Sequence, residues 1–155
     1  RSLEFYDDFY QSVETFITCQ LEQHSHFLVI DLHSYNHRRN GPDSKPADSA
    51  TNPEINLGTL HITPAEHWIE IVEIFESTLR SYDLDVKHNV PFEGGHFPQW
   101  LNHEWPGRVC ALTVEVKKVF MDEWTGLRDN PAFLHIGMAL KKATQATEQK
   151  LMSFS

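Results

Sequence analysis

The sequence predicts an α/β fold: a three-layer sandwich with helices on both faces of a mostly parallel or mixed central sheet. Three observations carry this. Short apolar runs rich in branched residues, at 27–30 and 109–116, fit strands buried on both faces. Stretches with apolar residues at helical spacing precede, separate and follow them, and such alternation implies helices packed on a sheet. The 155 residues suffice for one domain with a real core, with neither an internal repeat nor a second domain visible.

Taken in order, the chain opens with a helix. Phe5, Phe9, Val13, Phe16, Ile17 and Leu21 recur at helical spacing and predict one apolar stripe. A core helix so close to the first residue, which is Arg1 rather than Met, leads us to expect sequence ahead of residue 1. The strand beginning at Phe27 follows, and after Ile30 the polarity changes abruptly. The stretch 40–53 collects turn formers without periodicity and predicts a long surface loop, a type often used as a lid or binding loop. Residues 54–61 alternate polar and apolar, as in a short strand broken at Gly58. Thr63 as cap, Pro64 in the first helical position and Glu66 completing a capping box start the next helix. It runs to about Arg80 with Trp68, Ile71, Val72, Phe75 and Leu79 buried. A strand centred on Leu84 and Val86 comes next, then a loop over 91–100 whose Gly94 and Gly95 permit close approach to a ligand. The second buried strand spans 109–116. Asn130 and Pro131 start the last helix, packed through Phe133, Ile136, Leu140, Ala143 and Leu151.

The composition excludes several classes. A formal net charge of −9 argues against a nucleic-acid backbone or an anionic membrane as partner. No apolar run approaches a membrane span and no stretch reads as a signal peptide, so neither a span nor a leader is expected in these residues. Cys19 and Cys110 lie in apolar-patterned segments without CxxC spacing, which predicts buried free thiols and a reducing, cytoplasmic setting. Ten histidines in this length raise the prospect of a metal, since histidine is the commonest metal ligand.

Two positions stand out chemically. The strand from Phe27 ends in Asp31, His33, Ser34, Tyr35, Asn36, His37, Arg38 and Arg39, where open α/β sheets bind their ligands. His33 can turn a ring nitrogen to a metal while a nearby carboxylate fixes its tautomer, or it can be a hydrogen-bonded core histidine. Glu115 interrupts an otherwise apolar strand. Such a carboxylate is costly unless it is paired, metal-bound or opens into a cleft, where desolvation fits it to act as a general base. The alternative partners for Glu115 are Lys117, Lys118 and Arg108. His67 and Glu70 have the HxxE spacing of a metal pair, but Glu66, His67, Glu70, Glu73 and Ser77 together read as the solvated face of their helix. No GxSxG elbow, P-loop or Rossmann glycine pattern is present.

Three stretches together resemble the N-formylglutamate amidohydrolase family: Val29-Ile-Asp-Leu-His-Ser-Tyr35, Asn89-Val-Pro-Phe-Glu-Gly-Gly-His96 and Leu112-Thr-Val-Glu-Val116. The first helix and Asn56-Leu-Gly-Thr59 also fit, so the similarity spans most of the chain. Through that family the chain is distantly similar to zinc carboxypeptidases and aspartoacylases, with their phosphorylase/hydrolase-like sandwich. The resemblance implies a zinc cofactor with His33 as a ligand, and it matches Glu115 to the glutamate that activates water. It also implies that Asn89, His96 and one of Arg38 or Arg39 hold the substrate's carboxylate or polarise its amide, with Ser34 and Tyr35 lining the site. Arginine suits a carboxylate by its bidentate geometry. The family's other zinc ligands lie upstream of the first stretch, so they are expected before residue 1. The chain then reads as the C-terminal portion of a catalytic domain acting on a small N-acyl amino acid. A metal-free binding module, and a fragment inactive until completed, are the competing readings.

Overall fold

The computed structural model describes residues 2–154. Nine residues of β1 (Phe27–Tyr35) run parallel to nine of β4 (Val109–Lys117), from Phe27 beside Val109 to Tyr35 beside Lys117. On the other side of β4, β2 (Ile55–Gly58) lies antiparallel, and β3 (Val86–His88) runs parallel to β2. The sheet order is therefore β1-β4-β2-β3, and the sheet is mixed.

Successive residues of a strand point to opposite faces, and each face has its own helices. Cys110, Leu112, Val114 and Val116 of β4, with Leu28 and Ile30 of β1, meet α2 (Ala65–Arg80) and α4 (Asn130–Met152). From α2 come Trp68, Ile71, Phe75 and Leu79, and from α4 Ile136, Ala139 and Ala143. The alternate residues Phe27, Val29, Val109 and Ala111 meet α1 (Ser2–Gln23) and α3 (His96–Glu104) through Ile17, Leu21 and Leu101. Asn102 of α3 clasps the backbone of Ala111 from both sides, its Nδ2 donating to the carbonyl at 2.9 Å and its Oδ1 accepting from the N–H at 2.8 Å. Among the described residues no helix is long and apolar enough to cross a membrane.

Several expectations are corrected. The predicted loop at 91–100 turns helical at His96, since Pro98, Leu101 and Asn102 make a buried stripe too short to register as periodicity. Pro64 caps α2 without a side-chain hydrogen bond, so neither the Thr63 cap nor the capping box forms. Only one end of the α1 stripe is covered: Ile17 and Leu21 are buried, while Phe5, Phe9 and Phe16 are exposed. Phe133 of α4 is also exposed, and so is the Cys19 thiol, although Cys110 is buried. The 40–53 loop is tied down at its end, where Lys87 Nζ donates to the carbonyls of Ser49 and Ala50.

Candidate active site

The α1/α3 layer covers the first half of β1 and β4 and leaves the second half to polar side chains. On that face β1 continues with Asp31, His33 and Tyr35, and β4 with Thr113, Glu115 and Lys117. The register places His33 beside Glu115, and Asn56 of β2 on the other flank of Glu115. In-register neighbours share a face, so His33, Glu115 and Asn56 form one row across three strands.

His33 is oriented by its own strand. Its Nε2 lies 2.8 Å from Asp31 Oδ1, two residues back on the same face. Asp31 is well shielded, while the imidazole is 54% exposed. A carboxylate on one ring nitrogen fixes the tautomer and leaves Nδ1 free to receive a ligand. Glu115 has none of the partners that would make it structural. Lys117 Nζ donates to the Asn52 carbonyl, Lys118 Nζ to Asn36 Oδ1, and Arg108 to the carbonyls of Leu21, His24 and Ser25. Burial pushes the Glu115 carboxyl above its ordinary pKa, His33 works against that and Asp31 adds to it. A carboxylate raised in this way is suited to accept a proton near neutrality.

The roof over this row is the turn before α3. Asn56, fully buried, donates to the Phe92 carbonyl at 2.8 Å and accepts from Val90 N–H at 2.6 Å. Gly58 faces Gly94 so closely that an added Cβ would stand 2.8 Å from Gly94 N. The Thr113 hydroxyl, buried beneath Gly94, has no hydrogen-bond partner among the described residues.

The other site expectations fall in different places. Asn89 lies at the end of β3 with its amide occupied, accepting from the N–H groups of Thr59 and Leu60 and donating to Thr59 Oγ1. His96 starts α3 and meets the Tyr6 hydroxyl at 3.1 Å. Tyr35 is buried, and its hydroxyl donates to the Pro53 carbonyl. Ser34 faces away from His33, toward an apolar groove beside α4. Arg39 Nε donates to the Asn36 carbonyl at 3.3 Å, and Arg38 turns into a separate cavity. His67 leaves the solvated face assigned to it. It packs 5.3 Å from His26 and 4.8 Å from Phe154, while Glu70 pairs with Lys150 at 2.5 Å. Asn56 in the row and Thr113 on the same face of β4 lie in stretches that carried the resemblance but were not singled out as site residues. Thr113, like Glu115, was a polar residue in an otherwise apolar strand, whereas Asn56 was hidden in an alternating polar and apolar stretch.

A family model described as N-formylglutamate amidohydrolase matches residues 1–121. The chain belongs to the N-formylglutamate amidohydrolase family. Among solved structures it is similar to the N-formylglutamate amidohydrolase of Ralstonia eutropha JMP134, with a TM-score of 0.66 at 16% identity. That match takes in 96% of this chain and 51% of the other, so the chain spans about half the length of that amidohydrolase. At this identity the likeness shows a shared fold. No curated protein matches the sequence. The row of His33, Glu115 and Asn56 thus lies within the part that carries the amidohydrolase family signature.

The donor chemistry fits part of a zinc shell. His33 offers a braced imidazole with one nitrogen free. Catalytic zinc is commonly held by about three protein ligands, and no group of three His, Cys, Asp or Glu able to hold a metal occurs among the described residues.

Proposed function

We propose that this chain carries the proton-transfer part of an amidohydrolase site that cleaves the amide bond of a small N-acyl amino acid, resembling N-formylglutamate. The reading rests on one observation: His33, braced by Asp31, and an unpaired, desolvated Glu115 sit side by side in register at the carboxyl ends of parallel strands. Family membership supports it independently.

In this reading Glu115 takes the proton from the attacking water and returns it to the departing amine. Asp31 holds the His33 ring, and Arg39 receives the substrate's carboxylate. Thr113 and Asn56 fix the floor and roof beside the scissile bond. Zinc, bound through His33, would supply Lewis acidity at the carbonyl. The remaining ligands would come from sequence outside the 155 residues, within a zinc-carboxypeptidase-like domain working in the cytoplasm. The incomplete donor set favours a second reading, a binding module that retains the pocket without the metal.

The test is metal content by elemental analysis, with hydrolysis across a panel of N-acyl amino acids including N-formylglutamate. In a protein carrying the complete domain, His33→Ala should lose zinc, while Glu115→Gln should keep zinc and lose turnover. A complete domain with neither metal nor hydrolysis would leave the binding module standing. Stoichiometric zinc on the 155 residues alone would refute the proposal that ligands lie elsewhere.

A further inference from the structure

Beyond the carboxyl ends of β1 and β4 lies a cavity of about 500 Å³ that the hydrolytic reading does not use. Its walls come from the loop after β1 and the segment between β4 and α4. None of Asp31, His33 and Glu115 lines it. Four cations do, Arg38, Lys117, Lys118 and Arg128, against three carboxylates, Asp122, Glu123 and Asp129. This is a local positive excess in a chain of formal charge −9.

The carboxylates offset part of that charge, Asp122 acting on Arg38 across space, and leave an excess of one positive charge; their oxygens hydrogen-bond elsewhere. Glu123 accepts the N–H groups of His37 and Arg38. Asp122 accepts from Trp124 N–H, Thr125 N–H and the Thr125 hydroxyl. Asp129 caps α4 through Ala132 N–H. No ion pair among the described residues involves Arg38, Lys117, Lys118 or Arg128. Each cation instead meets a neutral oxygen: Arg38 the Pro42 carbonyl at 3.4 Å, Lys117 the Asn52 carbonyl at 2.9 Å, Lys118 Asn36 Oδ1 at 2.7 Å, and Arg128 Asn130 Oδ1 at 2.6 Å.

Lys117 makes the case sharpest, because it is only 6% exposed. A buried ammonium without a counter-charge is costly. Beside it His37, 8% exposed, has an Nδ1 without a hydrogen-bond partner. Burial and the charge of Lys117 lower that imidazole's pKa and favour its neutral form, against the nearby Glu123, and in the Nδ1–H tautomer it can donate to a ligand oxygen without adding charge.

We infer that this cavity is a binding site for a small dianion presenting carboxylate or phosphate oxygens, received by Arg38, Lys117, Lys118 and Arg128. Arginine and lysine together supply both planar and point-charge recognition of such oxygens. The inference does not depend on hydrolysis at Glu115.

Calorimetric titration of the 155-residue chain at low salt tests it, with inorganic phosphate in one arm and succinate in the other. Saturable binding of about one anion per chain is expected in at least one arm, and the arm that saturates identifies the chemistry. The variant Lys118→Gln/Arg128→Gln removes two accessible charges and should weaken binding at least roughly tenfold. Arg128→Lys should bind to within a few-fold of the parent. An unchanged circular dichroism spectrum shows that the variants remain folded. Failure of both anions to saturate the parent chain, or parent-like affinity in the folded double variant, overturns the inference.

Discussion

The two faces of the sheet are built from the same strands and differ in nearly everything else. On the α2/α4 face, every second residue of β4 from Cys110 to Val116 is apolar and buried. On the α1/α3 face the apolar register stops at Ala111, and Thr113 and Glu115 take its place. One β4 residue therefore contributes to the core while its neighbour, one step along, carries the polar group on which the proposed chemistry rests. The period of two lets a single strand do both, because a substitution on one face leaves the other face's contacts in place.

The contrast predicts opposite responses to substitution. Turnover should show the largest effect: in a complete, active domain Glu115→Gln should lower kcat by about 10²–10⁴-fold, the usual worth of a general base. A loss confined to KM would instead make Glu115 a binding group. Next comes the opposite face. Trp68→Ala removes a fully buried side chain and should cost about 3–5 kcal/mol in urea unfolding. A loss below about 1 kcal/mol would mean that the α2/α4 face is not the main core. Asn102→Ala leaves the Ala111 N–H and carbonyl buried without partners and should cost about 1–3 kcal/mol, measured in the same way.

A pH effect sharpens the comparison further. Burial, with His67 and Arg108 nearby, holds the His26 pKa below its ordinary 6.5. The unfolded chain then takes up that proton more readily, so the associated stability is present above pH 6.5 and is lost as pH falls through the folded value. Thermal unfolding between pH 7.5 and 5.5 should show the decline, and His26→Phe should flatten it. The smallest effect is on folding itself. Glu115→Gln should change stability by no more than about 0.5 kcal/mol at neutral pH, because the carboxylate is half-open and makes no hydrogen bond or ion pair among the described residues. A loss comparable to that of Asn102→Ala would show that Glu115 is structural after all.

What was legible in the sequence follows the same division. Strands β1 and β4 were legible because continuous apolar runs have few other uses, and α2 because its stripe spans four turns. Helix α3 was not, since His96, Pro98, Gln99 and His103 carry no helical pattern and its burial depends on the sheet beneath. The α1 stripe was read as uniformly buried because periodicity reports which side is apolar, not how far along the helix a partner extends. At the site, His33 and Glu115 were legible as polar residues in apolar strands. That both face one cleft at the carboxyl edge was expected from the ends of two buried strands; their direct pairing in register was not legible, because it depends on strand pairing across some eighty residues of chain. The resemblance assigned Asn89 to the substrate, and in the structure its side chain holds the Thr59–Leu60 backbone.

The doubly bonded Asn56 side chain also bears on how a substrate would reach the row. It fastens the Val90 and Phe92 backbone to β2, and Gly58 presses against Gly94 on the next step. The roof is therefore fastened to the strand flanking Glu115, with little room left between Gly58 and Gly94. In the proposed reaction the exposed side of the row is the His33 imidazole, so a substrate would meet the braced ring before Glu115.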